Sequence, residues 1–188
     1  MKINNKISKN LVVLVNRNGQ PIGVEDKESA HRKGLLHAAF SVFIFNTHGQ
    51  LLLQQRALTK YHSPGLWSNS CCSHPLYKEK FTAAAKRRLQ EELGIQCSLT
   101  KVCIKTYKLD VGQSMYEHEY NQIFFGIFNG SPLPCKEEVE NWRWVEFDEL
   151  IRELQSSNEN YTSWFAWLCE ELSNEVSEFI SKIKQKTV

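Results

Sequence analysis

Short apolar blocks separated by polar turns fill the first three quarters of the chain, and a helical period replaces them near its end. Leu11–Val15 is an apolar run, the turn signal Asn18-Gly19 follows it, and a second extended piece lies at 22–24. Residues 38–45 and 51–55 read as two more strands, joined by Asn46-Thr47-His48-Gly49 as a hairpin. Residues 58–76, with Ser63-Pro64-Gly65 and His74-Pro75, read as loop. Good helix formers run over 79–93, and Gly94 stands where a left-handed residue would end that helix. Residues 102–109, 120–128 and 142–147 are rich in β-branched and aromatic side chains and read as strands. From Trp164 onward, Phe165, Leu168, Leu172, Val176, Phe179, Ile180 and Ile183 recur at helical steps, which predicts an amphipathic helical segment over about 162–185 that serves packing. Strands and helices mixed without βαβ alternation predict an α+β fold, a layered αβα sandwich around a mixed sheet.

The chain of 188 residues has room for one domain, with a core expected over about 11–155. Hydrophobic residues make up 41% and charged residues 23%, enough for a globular core and far from a disordered composition. A net charge of +2 argues against a general nucleic-acid binder, so any phosphate contact is expected to be local. The opening MKINNKISKN is polar, and the sequence has no membrane-spanning apolar run, which together predict a cytoplasmic protein. Its six cysteines are then expected as thiols, and they form no CxxC pair that would suggest a zinc ribbon.

Chemistry concentrates in a few places. Asn69-Ser70-Cys71-Cys72-Ser73-His74-Pro75 sets a thiol two residues before an imidazole in a segment read as loop. Glu117 and Glu119 flank His118, and on a strand the two carboxylates share a face. Side by side they repel, so a cation between them is favoured. His31, His37, His74, Glu117 and Glu119 would together suit a zinc- or manganese-like divalent ion. His48, in the hairpin turn, and His62, beside Pro64, read as surface residues. On the predicted helix, Arg87/Glu91 and Arg88/Glu92 are i,i+4 pairs. They can be plain surface ion pairs, or a carboxylate for Mg²⁺ beside an arginine for phosphate oxygens. Lys27, Arg56 and Lys60 are further candidate phosphate contacts.

These pieces resemble the Nudix superfamily, whose box is Gx5Ex7REUxEExGU with U a bulky apolar residue. Residues 73–95 read SHPLYKEKFTAAAKRRLQEELGI, matching at Glu79, Arg87, Leu89, Glu91, Glu92, Gly94 and Ile95, with Ser73 in place of the glycine and Arg88 in place of a glutamate. A Nudix hydrolase of a nucleoside diphosphate derivative is therefore one alternative. The chain is more similar to a non-hydrolytic branch, the type 1 isopentenyl-diphosphate isomerases, at AHRKGLLHAAF, QQRALTKYHSPGLWSNSCCSHP, RRLQEELG, YEHEY and TSWF, in order along nearly the whole chain.

That resemblance implies Cys72 and Glu119 as the catalytic acid/base pair with Tyr107 beside the carboxylate. It implies His31, His37, His74, Glu117 and Glu119 as ligands of a divalent metal, Mn²⁺, Zn²⁺ or Mg²⁺. Glu92 would hold a Mg²⁺ shared with the substrate diphosphate, while Lys27, Arg56, Lys60 and Arg88 contact that diphosphate and Trp164 faces the isoprenoid tail. The implied partner is a small isoprenoid diphosphate, with no nucleic acid or membrane and a monomeric or weakly dimeric chain. Moving a double bond from C3=C4 to C2=C3 needs one proton added and another removed through a carbocation. A carboxylic acid beside a metal and a phenol, an aromatic face and a thiolate favoured by nearby positive charge would meet that need.

Overall fold

The computed structural model describes residues 10–186, so the polar stretch 1–9 read above lies outside the described residues, as do 187–188. Among the described residues, nine strands form one mixed sheet. β1 (Leu11–Val15) and β2 (Pro21–Asp26) pair antiparallel across the turn seen in the sequence. Gly19 closes that turn at φ +75°, and a Cβ there would stand 2.3 Å from the Tyr120 ring, so only glycine fits. α1 (Lys27–Lys33) follows, capped by the Asp26 carboxylate, which accepts from the Ser29 N–H at 3.0 Å, and ended by Gly34 in the left-handed region.

β3 (His37–Phe45) is buried at every position because it has neighbours on both edges and cover on both faces. β7 (Leu99–Asp110) and β8 (Tyr116–Ile127) form a long hairpin, and β8 runs parallel to β3 along one edge, with His37 opposite Glu119. On the other edge β6 (Cys71–Ser73) pairs antiparallel with Phe40, Ser41 and Val42. β4 (Leu51–Arg56) pairs with β3 only at Phe45 and Leu51, then turns to β5 (Trp67–Ser68) and β9 (Val139–Val145). The predicted hairpin thus exists but opens after one step. Ser70 bridges the opening: its hydroxyl accepts from the Ile44 N–H at 2.8 Å and donates to the Leu52 carbonyl at 2.7 Å.

Alternation along the central strands separates two cores. Phe40, Val42, Ile44, Leu52 and Phe124 pack against Ala84, Ala85, Leu89 and Leu93 of α2 (Phe81–Leu93). Phe43, Phe45, Leu51, Leu53 and Phe125 face the other side, under α3 (Phe147–Ser156), α4 (Ser163–Glu171) and α5 (Ser173–Lys186). Each fully buried Phe or Leu contributes about 1.5–3 kcal/mol, so the two layers hold the sheet between them. This is the expected αβα arrangement.

Four local readings are corrected. The 58–76 stretch contains β5 and β6, so Cys72 is on a short strand rather than in a loop. The strand read over 142–147 ends at Val145, and Phe147 instead opens α3. The C-terminal helical segment is two helices, broken at Leu172. α1 and α3 had no counterpart in the reading; α3 carries Phe147, Leu150, Ile151 and Leu154 at helical spacing, a signal that would have found it.

Candidate active site

Period-2 geometry on β8 turns Glu117, Glu119 and Asn121 to one buried face. His31 reaches that face from α1, His37 from the first position of β3, and His74 from the residue just after β6. His31, His37, His74 and Glu117 each bring a ligand atom within 4.8 Å of the others. The fifth predicted ligand, Glu119, stands against the same cluster: its Oε1 lies 3.3 Å from His74 Nε2 and 3.9 Å from His37 Nε2.

Backbone carbonyls set the tautomers. His31 Nδ1 bonds the Lys27 carbonyl at 2.6 Å and His37 Nδ1 bonds the Leu35 carbonyl at 2.8 Å, which places the proton on Nδ1 and a lone pair on Nε2 of each ring. His31 Nε2 then faces Glu117 Oε2 at 3.0 Å, a pair that needs a proton or a cation between its two acceptors, and His37 Nε2 faces His74 Nε2 at 3.2 Å. Burial pushes His37 down to about 4 and His74 well below the usual imidazole range, so both stay neutral. Converging lone pairs and a carboxylate fit a divalent cation, which would satisfy them together.

The two glutamates divide in the absence of such an ion. Burial raises both, but a proton held between His31 Nε2 and Glu117 Oε2 draws Glu117 well below the carboxylate range, whereas Glu119, beside that charge, is pushed well above it. Glu119 Oε2 accepts from Tyr107 Oη at 2.5 Å and from Asn121 Nδ2 at 2.8 Å. Burial and Glu119 hold the Tyr107 phenol protonated.

Cys72 stands on the opposite edge of β3 from β8. Its Sγ donates to Asn69 Oδ1 at 2.9 Å and accepts from Trp164 Nε1 at 3.3 Å. Burial pushes the thiol up to about 11, although Ser68, Trp164 and Arg56 favour the thiolate. Nearby positive charge favours the thiolate as expected, through Arg56, but desolvation outweighs it. Cys71 points into the α2 core and is fully buried.

Lys27, Arg56, Lys60 and Arg88, from α1, the end of β4, the turn behind it and α2, line one cleft of about 400 Å³ together with Cys72, His74, Glu92, Glu117, Glu119 and Trp164. His31, His37 and Tyr107 lie behind its wall. Arg56 donates to the Ser63 and His62 carbonyls and stacks its guanidinium over Trp164, 5.2 Å from the ring centroid. Burial pushes Lys27 down to about 8, with Lys60 and Arg56 adding to the effect. Both predicted helix pairs form, Arg87 to Glu91 at 3.3 Å and Arg88 to Glu92 at 2.7 Å. Arg87 is held more closely by Glu79, through two bonds of 2.8 Å.

Three contributors escaped the sequence reading. Glu138, at the foot of β9, pairs with both Lys60 and Arg88, the latter at 2.9 Å. Asn121 ties Tyr107 to Glu119, a role its place two residues along β8 could have signalled. His62, read as a surface residue, is buried, with Nε2 3.3 Å from Glu117 Oε1. His48 is exposed as expected.

With this geometry the chain can be compared with known proteins. A NUDIX domain model matches residues 35–168. The chain is 44% identical over 170 residues to the isopentenyl-diphosphate Delta-isomerase of Serratia proteamaculans, covering 90% of this chain and 95% of that one. It is 46% identical over 154 residues to the protein of the same name from Pectobacterium atrosepticum, covering 82% and 86%. Among solved structures, DR0079 from Deinococcus radiodurans superimposes with a TM-score of 0.73 at 16% identity, covering 86% of this chain and 98% of that one. A MutT NUDIX hydrolase from Burkholderia pseudomallei gives 0.57 at 20% identity, covering 72% and 96%, and these two likenesses speak to the fold alone.

Proposed function

The chain belongs to the isopentenyl-diphosphate Delta-isomerase family, built on a NUDIX domain, and from that membership we infer that it interconverts isopentenyl diphosphate and dimethylallyl diphosphate. The observation that carries the reading is the position of Cys72 and Glu119 on the two strands that flank β3, facing one cleft that also holds five cationic side chains, Lys27, Arg56, Lys60, Arg87 and Arg88.

Glu119, protonated beside Tyr107 and Asn121, donates to the terminal alkene carbon: the C3=C4 electron pair forms the new C4–H bond and leaves a tertiary cation at C3. Cys72 takes the proton from C2, and that C–H pair becomes the C2=C3 bond. The resting site holds a proton on each of the two groups, so the active form has lost one of them. Trp164 supplies a π face for the cation, and its indole N–H, with the Ser68 hydroxyl, favours the thiolate on Cys72. In the reverse direction the roles exchange.

Lys27, Arg56, Lys60 and Arg88 hold the diphosphate, which stays intact and positions the five-carbon tail. His31, His37, His74, Glu117 and Glu119 would hold a divalent ion, Mn²⁺, Zn²⁺ or Mg²⁺, and Glu92 would hold a Mg²⁺ that serves the diphosphate. Bound cations there would keep Glu119 oriented and offset the charge of the substrate. Arg88 in place of a Nudix-box glutamate supports a phosphate clamp over water activation. The same reading takes a free small molecule in the cytoplasm as substrate, without nucleic acid or membrane, and a monomer or weak dimer. The near-neutral net charge of +2 supports the exclusion of polyanions. No helix among the described residues is long and apolar enough to cross a membrane.

Incubation with isopentenyl diphosphate, with and without EDTA, tests this reading. Metal-dependent appearance of dimethylallyl diphosphate is expected. Phosphate release from nucleoside diphosphate derivatives without isomerisation would overturn it.

A further inference from the structure

Of the six histidines, His62 is the one whose burial the sequence did not anticipate. It follows Tyr61 in the turn between β4 and β5, where a polar side chain could as easily face water. Its ring instead inserts between the metal-type cluster and the tail end of the cleft. The centroid lies 5.7 Å from that of His31 and 5.6 Å from that of Trp164, edge-on to the indole. Nε2 faces Glu117 Oε1 at 3.3 Å, while Nδ1 is buried without a partner. A neutral ring carries one proton. Placed on Nε2, that proton lies on the side of a carboxylate oxygen 3.3 Å away and leaves only a lone pair at Nδ1, a cheaper orphan than a buried N–H.

Glu117 is therefore flanked by an imidazole at each of its oxygens. His31 faces Oε2, the oxygen turned toward the cluster, and His62 faces Oε1. Main-chain contacts fix the far side of His62 as well, because the Arg56 guanidinium donates to its carbonyl at 3.1 Å. Trp164, against which the ring packs, donates in turn to Cys72. One side chain thus joins the carboxylate of the metal-type cluster to the indole that touches the thiol.

We propose that His62 is a positioning residue for Glu117, a second partner that fixes the orientation of this carboxylate for a divalent cation without itself coordinating it. The inference rests on the metal-site reading given above. Outer partners that orient ligating side chains typically contribute a factor of 10 to 100 in metal affinity. His62 would do so from a loop, through an atom pair that no helix or strand dictates.

The test is Co²⁺ binding to the full chain after chelator treatment, read by visible absorption and by competition with a chromophoric chelator. His62→Leu keeps the bulk and loses the donor; it should bind Co²⁺ about 10- to 100-fold more weakly, with band positions unchanged because the ligand set is unchanged. His62→Gln, whose amide N–H can reach Glu117, should recover affinity to within about threefold of the original chain. If His62→Leu does not fold by circular dichroism, His62→Asn, with a shorter amide, takes its place with the same expected loss. Affinity within twofold in the donor-less variant overturns the proposal, as does a Gln variant no better than Leu. Bands shifted to a nitrogen-poorer ligand set overturn it differently, by making His62 a ligand. An original chain that binds no Co²⁺ sinks the metal centre itself, and this inference with it.

Discussion

Tyr107 and Glu119 are direct cross-strand partners in the β7–β8 ladder, and their side chains meet at 2.5 Å on the face that looks into the cleft. The register thus delivers a phenol donor to the one carboxyl that burial keeps protonated. Tyr107→Phe should lower kcat about 100-fold while leaving KM for isopentenyl diphosphate within about threefold. Glu119 keeps its Asn121 donor, so the fold should persist, and steady-state kinetics with a thermal melt separates the two effects.

Adjacent cysteines should behave differently. Cys72→Ala should abolish isomerisation in a folded protein, whereas Cys71→Ala should keep turnover and lose about 1–2 kcal/mol from the α2 core. Glu119→Gln should abolish turnover as Cys72→Ala does. Activity that survives the first substitution and is lost with the second cysteine would reverse the assignment of the thiol.

Much of this was legible beforehand for identifiable reasons. The i,i+2 spacing of Glu117 and Glu119 fixes their common face whenever the segment is a strand, and Gly94 marks a helix end because only the left-handed region closes it there. His62 and Glu138 were not legible, because their roles depend on how a turn and a strand foot fold back over the cleft, which no local period encodes. α1 escaped for a related reason: Ala30 and His31 are its buried residues, so it has no apolar stripe, and an N-cap at Asp26 is its main signal. The net upward push on the Cys72 thiol was not legible either, since desolvation is set by the surrounding packing.

Chelation should affect stability as well as rate. Without a metal ion, only a proton can bridge His31 Nε2 and Glu117 Oε2, 3.0 Å apart inside the protein. Restoring a divalent ion at 100 times its Kd adds about 2.7 kcal/mol, and for a chain of this size that corresponds to a rise in Tm of about 5–10 °C. Differential scanning calorimetry of chelator-treated protein, with and without added Mn²⁺ or Zn²⁺, measures it. No rise with either ion, or with Mg²⁺, would argue against a metal at this cluster.

Glu138 should leave its mark at acid pH. Burial alone would raise its carboxyl, but Arg88 and Lys60 outweigh that and hold it at about 2, against a usual 4.5. A carboxyl whose folded value lies below its unfolded one stabilises the fold fully above the unfolded value, and that contribution is lost as protons bind the unfolded chain first. The loss therefore runs from about pH 4.5 down to about 2 and amounts to about 2 kcal/mol for this partly shielded group. Glu138→Gln should lower stability at pH 6, where the ion pairs with Lys60 and Arg88 are intact, and should lose less on going to pH 3. Urea unfolding at both pH values gives the two differences. Equal acid sensitivity in the two proteins would show that Lys60 and Arg88 do not hold the Glu138 carboxyl down, and would overturn the prediction.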